Sequence, residues 1–219
     1  MKYNIYIICK IDDFEKIKSQ FNKYKNICHI HWSPAEYLKV KSCNKSLLKE
    51  LRTRHNTKKK KIIAKLGNIA AHRKTLLSIM INHTNNNLIL EADAKLNIQL
   101  PKPPNLSCYM GGWIIPPQIS KIGKIKIKLK PKKGLNKINY KKYKIITTHA
   151  LFIKSKEEAR DILESTLIKK NIKNYDLHLS NHKLFNYFYY PPPFVQSQHK
   201  SEIENTINKN DILTYNYGL

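Results

Sequence analysis

Short apolar runs and amphipathic stretches alternate along the first part of the chain. Residues 3–9 and 27–32 are dominated by large apolar and aromatic side chains, and each run predicts a strand. Between them, Asp12 and Asp13 predict the start of a helix that continues to about Tyr24. The first 32 residues therefore predict a strand, a helix and a second strand in that order.

A longer helix and a third strand follow. Residues 33–61 are polar, rich in lysine and end in four consecutive lysines, so they predict either a mobile loop or a solvated helix. Residues 62–80 predict a helix because apolar side chains recur at helical spacing, at Ile63, Leu66, Ala70, Leu76, Leu77 and Met80. A polar loop at 82–87 then leads to an apolar strand at 87–90.

The middle of the chain is less regular. Residues 97–118 are rich in proline and glycine, with Gly111, Gly112 and Trp113 near the centre. Trp113 could stack on a base or a sugar, or it could be a core anchor. Residues 121–144 alternate isoleucine or leucine with lysine, and this pattern predicts either an edge hairpin, because lysines protect exposed sheet edges, or a basic lid.

The last part of the chain returns to a regular pattern. Residues 145–153 predict a strand, and Ser155 with Glu158 forms a capping box that opens a helix to about residue 169. Residues 184–190 predict a last strand, which three prolines terminate. Strands separated by helices predict an α/β fold with a central mixed, mostly parallel sheet flanked by helices. We assign residues 1–203 to one domain and 204–219 to a polar tail.

The third strand ends abruptly in acid, since residues 88–93 read Leu-Ile-Leu-Glu-Ala-Asp. In a strand, residues i and i+2 point the same way, so Glu91 and Asp93 are expected to converge. Paired carboxylates suit a hard divalent cation, which prefers oxygen ligands. The sequence therefore predicts a metal site at Glu91 and Asp93, although two such acids can also simply end a strand.

The chain carries 41 Lys+Arg against 15 Asp+Glu, a formal net charge of +26. Nearly all the basic residues are lysine, and the chain is also heavy in asparagine, isoleucine and tyrosine, as AT-rich codons would produce. A base-reading protein is expected to favour arginine instead. The charge still attracts polyanions, so incidental polyanion binding is expected and a basic nucleic-acid-binding protein remains an alternative.

The sequence also bears on the compartment. No apolar run approaches the ~20 residues that a transmembrane helix needs, and the N-terminal apolar stretch has no small-residue cleavage site of a signal peptide. Cys9, Cys28, Cys43 and Cys108 have no zinc-binding spacing. These features predict free thiols in a reducing, cytoplasmic setting.

Several short motifs, taken in order, resemble glycosyltransferase family 25, which includes lipopolysaccharide and collagen galactosyltransferases. Residues 67–72 (Gly-Asn-Ile-Ala-Ala-His) resemble a Gly-Cys-x-x-Ser-His segment, and residues 91–93 resemble the end of a Leu-Glu-Asp-Asp strand. Residues 147–153 are similar to a Gly-Thr-x-Ala-Tyr-x-Ile segment, and Tyr175-Asp176 to a Val-Asp or Ile-Asp pair. Residues 192–203 resemble the Pro-Pro-Leu-Val-x-Gln and Ser-Asp-Ile ending.

The resemblance implies a GT-A-type fold and an inverting transfer of sugar. The donor would be a nucleotide sugar, usually UDP-linked, and the acceptor hydroxyl would belong to a glycan, a lipid-linked molecule or a protein. The implied cofactor is Mn²⁺ or Mg²⁺, held by Glu91 and Asp93, which neutralises the diphosphate leaving group. Where the family has a middle acid, this chain has Ala92, so a catalytically degenerate homologue is a further alternative.

The resemblance also implies roles for individual residues. An inverting transfer needs a general base, which would be Asp176, with Glu202 as the second candidate. The residues implied in donor binding are Glu91, Asp93, Gly67, His72, Thr148, His149 and Gln196. Two of them have a second interpretation, because His72 could be a core histidine on a helix face and His149 an ordinary strand residue.

Overall fold

The structure is a computed structural model that describes residues 2–35, 59–118, 127, 129–168 and 174–197. Along these ranges the elements are β1 (Tyr3–Cys9), α1 (Ile11–Lys18), a 3-10 helix (Ser19–Tyr24), β2 (Cys28–Pro34), α2 (Lys59–Ile81), β3 (Asn87–Glu91), β4 (Ala94–Leu96), β5 (Cys108–Tyr109), β6 (Trp113–Ile115), β7 (Gly134–Lys137), β8 (Lys144–Ile146), β9 (Ala150–Ile153), α3 (Lys156–Ile168), α4 (Tyr175–Asn181), β10 (Tyr187–Tyr190) and β11 (Phe194–Gln196).

Seven strands form one mixed sheet in the order β2-β1-β3-β9-β5-β10-β7. Strands β2, β1 and β3 are mutually parallel, and β5 is parallel to β10. The pairs β3–β9, β9–β5 and β10–β7 are antiparallel. The predicted α/β class is confirmed, whereas the prediction of a mostly parallel sheet is wrong, because only half of the neighbouring pairs are parallel. Two small ribbons, β11–β4 and β6–β8, lie outside this sheet.

Both faces of the sheet are covered, because side chains alternate along its buried strands. On β1, Tyr3, Ile5 and Ile7 face a cluster that contains Ile17 and Phe21 from α1 and the 3-10 helix. Tyr6 and Ile8 of the same strand face a second cluster, to which helices α2, α3 and α4 contribute Leu76, Ile79, Ala159, Ile162, Leu163 and Leu179. This alternation with period two places the sheet between two helical layers.

The first helix differs from its prediction. It ends at Lys18 and continues as a 3-10 helix, so the predicted helix to Tyr24 holds only as two successive segments. Its N-cap is Lys10, which makes no side-chain capping bond, and Asp12 and Asp13 lie in the first turn instead. Carboxylates at that position still interact favourably with the helix dipole.

The two longer predicted helices, α2 and α3, are confirmed. Helix α2 includes all of the predicted 62–80 and begins three residues earlier. Helix α3 begins after Ser155, whose Oγ accepts a hydrogen bond from the Glu158 backbone N–H at 3.3 Å. The Glu158 carboxylate accepts from the Lys154 backbone N–H, rather than from Ser155 as an ideal capping box would have it.

Three strand predictions need correction. The predicted strand at 145–153 is split into β8 and β9, because Thr147 has a φ of 76°, which a β-branched residue in a strand does not adopt. The predicted last strand is followed by β11 beyond the prolines. Asp93 lies in the turn between β3 and β4 rather than in a strand, so its proximity to Glu91 comes from that turn.

The uncertain middle of the sequence contains short strands. Residues 97–118 include β5 and β6, and Trp113 is a half-buried member of β6 that pairs with Ile146. Strand β7 lies at the edge of the described sheet, as predicted for an edge strand, but its partner is β10 rather than a neighbour in a local hairpin.

Several predictions fall outside the described residues. These are the character of 36–58, of 119–126 and of the tail at 204–219, the boundary at 203, the thiol of Cys43 and the second candidate base Glu202. Cys9, Cys28 and Cys108 are buried free thiols. In the part of the chain that the structure describes, no helix combines the length and apolarity that crossing a bilayer requires.

Candidate functional site

Glu91 closes β3 and collects three hydrogen bonds on a single carboxylate oxygen. Its Oε1 accepts from Asn68 Nδ2 at 3.0 Å, from His72 Nε2 at 2.8 Å and from Thr148 Oγ1 at 2.5 Å. Two of these donors come from α2 and the third from the 147–149 loop that precedes β9. Glu91 therefore joins a helix, a strand end and a loop at the carboxyl edge of the parallel strands.

These bonds determine the ionisation of Glu91. Burial by itself would raise its pKa, but the hydrogen bond and charge of His72, together with the bonds from Thr148 and Asn68, lower the pKa to about 2. Hydrogen bonds to the charged form of a carboxyl group stabilise that form. Glu91 is consequently an anion at neutral pH, with a fixed orientation.

His72 contacts the site through its hydrogen bond to Glu91 and is not exposed to solvent. The side chain is completely buried and its ring stacks on Tyr175, with centroids 4.4 Å apart and planes at 29°. Because an ionised carboxylate can only accept, the proton of His72 lies on Nε2. Its Nδ1 is buried without a hydrogen-bond partner. The interpretation of His72 as a core histidine on a helix face is therefore confirmed, and its part in donor binding stays a prediction.

Asp93 lies in the turn after β3, and its carboxylate accepts fewer side-chain hydrogen bonds than that of Glu91. Its Oδ2 accepts from Gln196 Nε2 at 2.5 Å, whereas Oδ1 is buried without a hydrogen-bond partner. Burial and the negative charge of Glu91 raise the pKa of Asp93 to about 6. A buried carboxylate oxygen without a donor is costly unless a proton or a cation satisfies it.

The residues present fit a divalent cation at Asp93 better than at Glu91. The free Oδ1 of Asp93 offers a hard oxygen ligand, while Oε1 of Glu91 already accepts three bonds. Among the described residues, no group of three or more His, Cys, Asp and Glu is arranged to hold a metal by itself. Mg²⁺ commonly uses one or two carboxylates and completes its shell with water and substrate phosphates.

The loop at 147–149 is shaped by an unusual backbone and by close packing. Thr147 adopts a positive φ, and its Oγ1 hydrogen-bonds His149 Nδ1 at 2.9 Å. His149 is 1 % exposed. Burial lowers its pKa to about 4, although the charge of Glu91 and the Phe194 carbonyl oppose that change. His149 is therefore neutral. It lies in the loop before β9 rather than in a strand, and its part in donor binding stays a prediction.

Gly111 leaves the space that His149 occupies. A Cβ at this position would overlap His149 Nε2 and lie 2.7 Å from the Phe194 carbonyl oxygen. We expect Gly111→Ala to destabilise the protein by about 1–3 kcal/mol, because the neighbouring groups must shift to relieve the overlap. Urea unfolding measures the loss, and the ring signals of His149 in NMR spectra are expected to move.

Gly134→Ala is the matched control for that substitution. Gly134 has a φ of 98°, and a Cβ added there would meet nothing within 4 Å, so alanine strains only the backbone. The control should lower stability without moving the His149 signals. An unchanged His149 spectrum in Gly111→Ala would contradict the proposed close packing.

Asp176 reaches the same site from the first turn of α4. Its Oδ1 accepts from the Leu177 backbone N–H at 2.7 Å. Burial raises the pKa of Asp176 and the charge of Glu91 adds to this, while the N–H groups of Leu177 and Thr147 and the ammonium of Lys65 oppose it. The side chain therefore holds the strained 147–149 loop and lies within electrostatic reach of Glu91.

The structure thus brings most of the sequence-predicted residues together: Glu91, Asp93, His72, Thr148, His149, Asp176 and Gln196. Gly67 is buried within α2, next to Asn68. Sequence reasoning missed Asn68 and the Tyr175 ring. Asn68 lies four residues before His72 on one helix face, and that spacing could have identified it.

Comparison with known proteins adds no relative to this picture. No protein-family model and no curated protein matches the chain.

Proposed function

We propose that this protein is a glycosyltransferase with a GT-A-type fold. It would transfer a sugar from a UDP-linked donor to an acceptor hydroxyl, with inversion and with help from Mn²⁺ or Mg²⁺. The observation that carries the proposal is the convergence of Glu91, Asp93, Asp176 and Gln196 at one edge of the sheet, although three separate stretches of the sequence supply them.

The position of these residues in the fold supports the proposal. Glu91 ends a strand of the parallel part of the sheet, and β9 runs antiparallel beside it. In open α/β sheets, ligands bind outside the carboxyl ends of the strands where the strand order changes direction. The family resemblance of residues 67–72, 91–93 and 147–153 becomes more specific because these segments contact one another.

The proposed reaction assigns a separate task to each acid. Asp93 would hold the cation through Oδ1, with Gln196 fixing the opposite oxygen. When bound, the cation supplies positive charge to the diphosphate as it leaves. Glu91, oriented by Asn68, His72 and Thr148, keeps the turn that presents Asp93 in place.

Asp176 would be the general base. As the acceptor oxygen bonds to the anomeric carbon, the bond from that carbon to the diphosphate oxygen breaks and its electron pair leaves with the diphosphate. The proton of the acceptor hydroxyl passes to the Asp176 carboxylate. Burial of Asp176 supports this role, because a pKa above the ordinary value makes the carboxylate a stronger base.

Calorimetric titration of the full chain with UDP tests the donor site. We expect binding in the presence of Mn²⁺ and at least about tenfold weaker binding with a chelator, because a cation held by Asp93 would supply the positive charge that favours the diphosphate. Hydrolysis of UDP-, GDP- and CMP-sugars then identifies the donor. Equal UDP affinity in both conditions would refute the metal role. Stabilisation by DNA that exceeds stabilisation by UDP with Mn²⁺ would favour the nucleic-acid alternative.

A further inference from the structure

One face of helix α2 forms a wall of the site. Asn68 and His72 both contact Glu91, so the side of the helix that carries them is turned towards the carboxylates. Lys65 precedes them by three and seven residues, and these spacings place it on the same face, about 10 Å along the axis from His72. Lys65 is half-buried, which leaves part of its side chain accessible.

The charge of Lys65 acts across the site. Its ammonium lowers the pKa of Asp176 on α4, and Asp176 in turn experiences the charge of Glu91. Lys65 on α2 and Asp176 on α4 therefore lie within electrostatic reach of each other.

The candidate site also carries three carboxyl groups. The negative charge of Glu91 acts on both Asp93 and Asp176. A diphosphate entering such a site is repelled unless positive charge compensates. One divalent cation at Asp93 would offset part of the repulsion, and the ammonium of Lys65 can offset more of it.

We propose that Lys65 binds the diphosphate of the donor, with its ammonium donating to a phosphate oxygen. This inference rests on the proposed function, which supplies the diphosphate. Lysine is suited to the task because its compact ammonium acts as a point charge on a flexible stem and can follow the phosphate as the bond to the sugar breaks.

Titration of the full chain with inorganic pyrophosphate in Mn²⁺ tests the role of Lys65. Lys65→Met and Lys65→Gln are expected to weaken pyrophosphate binding about tenfold, while Lys65→Arg retains most of the affinity. The matched control is Lys74→Met, since Lys74 is exposed on the same helix and its substitution makes the same change in charge. This control is expected to bind within about twofold of the unsubstituted protein.

The outcomes separate this inference from the function on which it rests. Pyrophosphate affinity that is unchanged in Lys65→Met and Lys65→Gln, with or without a lower melting temperature, would overturn the role of Lys65 and leave the glycosyltransferase proposal intact. A loss as large in Lys74→Met would also overturn it, because the effect would then be one of net charge. An unsubstituted protein that binds neither pyrophosphate nor UDP in Mn²⁺ would overturn both.

Discussion

The Asp176→Asn variant is expected to transfer sugar about 10²–10⁴ times more slowly per folded molecule. The amide keeps the shape of the carboxyl group and can still accept the Leu177 N–H bond, but it cannot take the proton of the acceptor hydroxyl. Donor affinity should barely change, because the acid acts on the acceptor. Single-turnover rates with a saturating donor measure the effect.

The pH dependence of the transfer rate is a second test of the role of Asp176. A general base works only when ionised, so the rate of the unsubstituted protein should fall as the pH drops through the pKa of Asp176. Because burial raises that pKa, the fall should begin above the ordinary range of an aspartate, about 3.9. Asp176→Asn is expected to lose the part of this acid limb that comes from the base, while the part that comes from protonation of Asp93, whose pKa is about 6, remains.

Asp161→Asn is the matched control, since Asp161 is exposed on α3 and its substitution makes the same chemical change. It should leave both the rate and the pH profile unchanged. The structural alternative for Asp176 is that it only holds the N–H groups of Leu177 and Thr147. An Asp176→Asn protein that melts early but transfers sugar normally per folded molecule would establish that alternative, and Glu202 would become the leading base.

The Asp93→Asn variant should lose the Mn²⁺-dependent part of UDP binding. Its Oδ1 is the buried carboxylate oxygen without a partner, and an amide there has much less affinity for a divalent cation. We expect an affinity loss of at least about 100-fold, because changes in residues that only orient a metal ligand already cost about 10–100-fold. Calorimetry with and without chelator measures the metal-dependent and the metal-independent parts of the UDP affinity.

Gln196→Ala tests the positioning of the same carboxylate. Removing its bond to Asp93 Oδ2 should weaken Mn²⁺-dependent binding by about 10–100-fold, less than the loss of the ligand itself.

Ala92 is exposed in the turn, and Ala92→Asp should strengthen binding if the missing acid weakens the site. Asp13→Asn, on the exposed surface of α1, is the control. Full metal dependence in Asp93→Asn would contradict the assignment.

The sequence predicted the elements whose signals are local. Helix α2 follows from apolar residues at helical spacing, and the start of α3 from Ser155 and Glu158. The end of β3 follows from the abrupt change between Leu90 and Glu91. Each of these signals lies within a few residues and is reinforced by the packing, so local preference and tertiary structure agree.

The arrangement of the site depends on contacts that no local pattern records. The sequence of residues 145–153 resembles that of one strand. The strand is broken at Thr147 because its hydroxyl hydrogen-bonds His149 and its backbone N–H hydrogen-bonds the Asp176 carboxylate. The order of the sheet is similarly non-local, since β5 lies between β9 and β10, which follow it in the chain. Tertiary contacts override strand propensity at such positions.

The ribbon formed by β4 and β11 has a consequence for how the protein is made. It carries Gln196 to Asp93 across 103 residues of sequence. At a synthesis rate of about 5–20 residues per second, the carboxylate of Asp93 exists for several seconds before its partner has been translated. Metal binding of the proposed kind would therefore follow the synthesis of Gln196, and a chain that stops before this residue should carry Asp93 without the hydrogen bond that orients it.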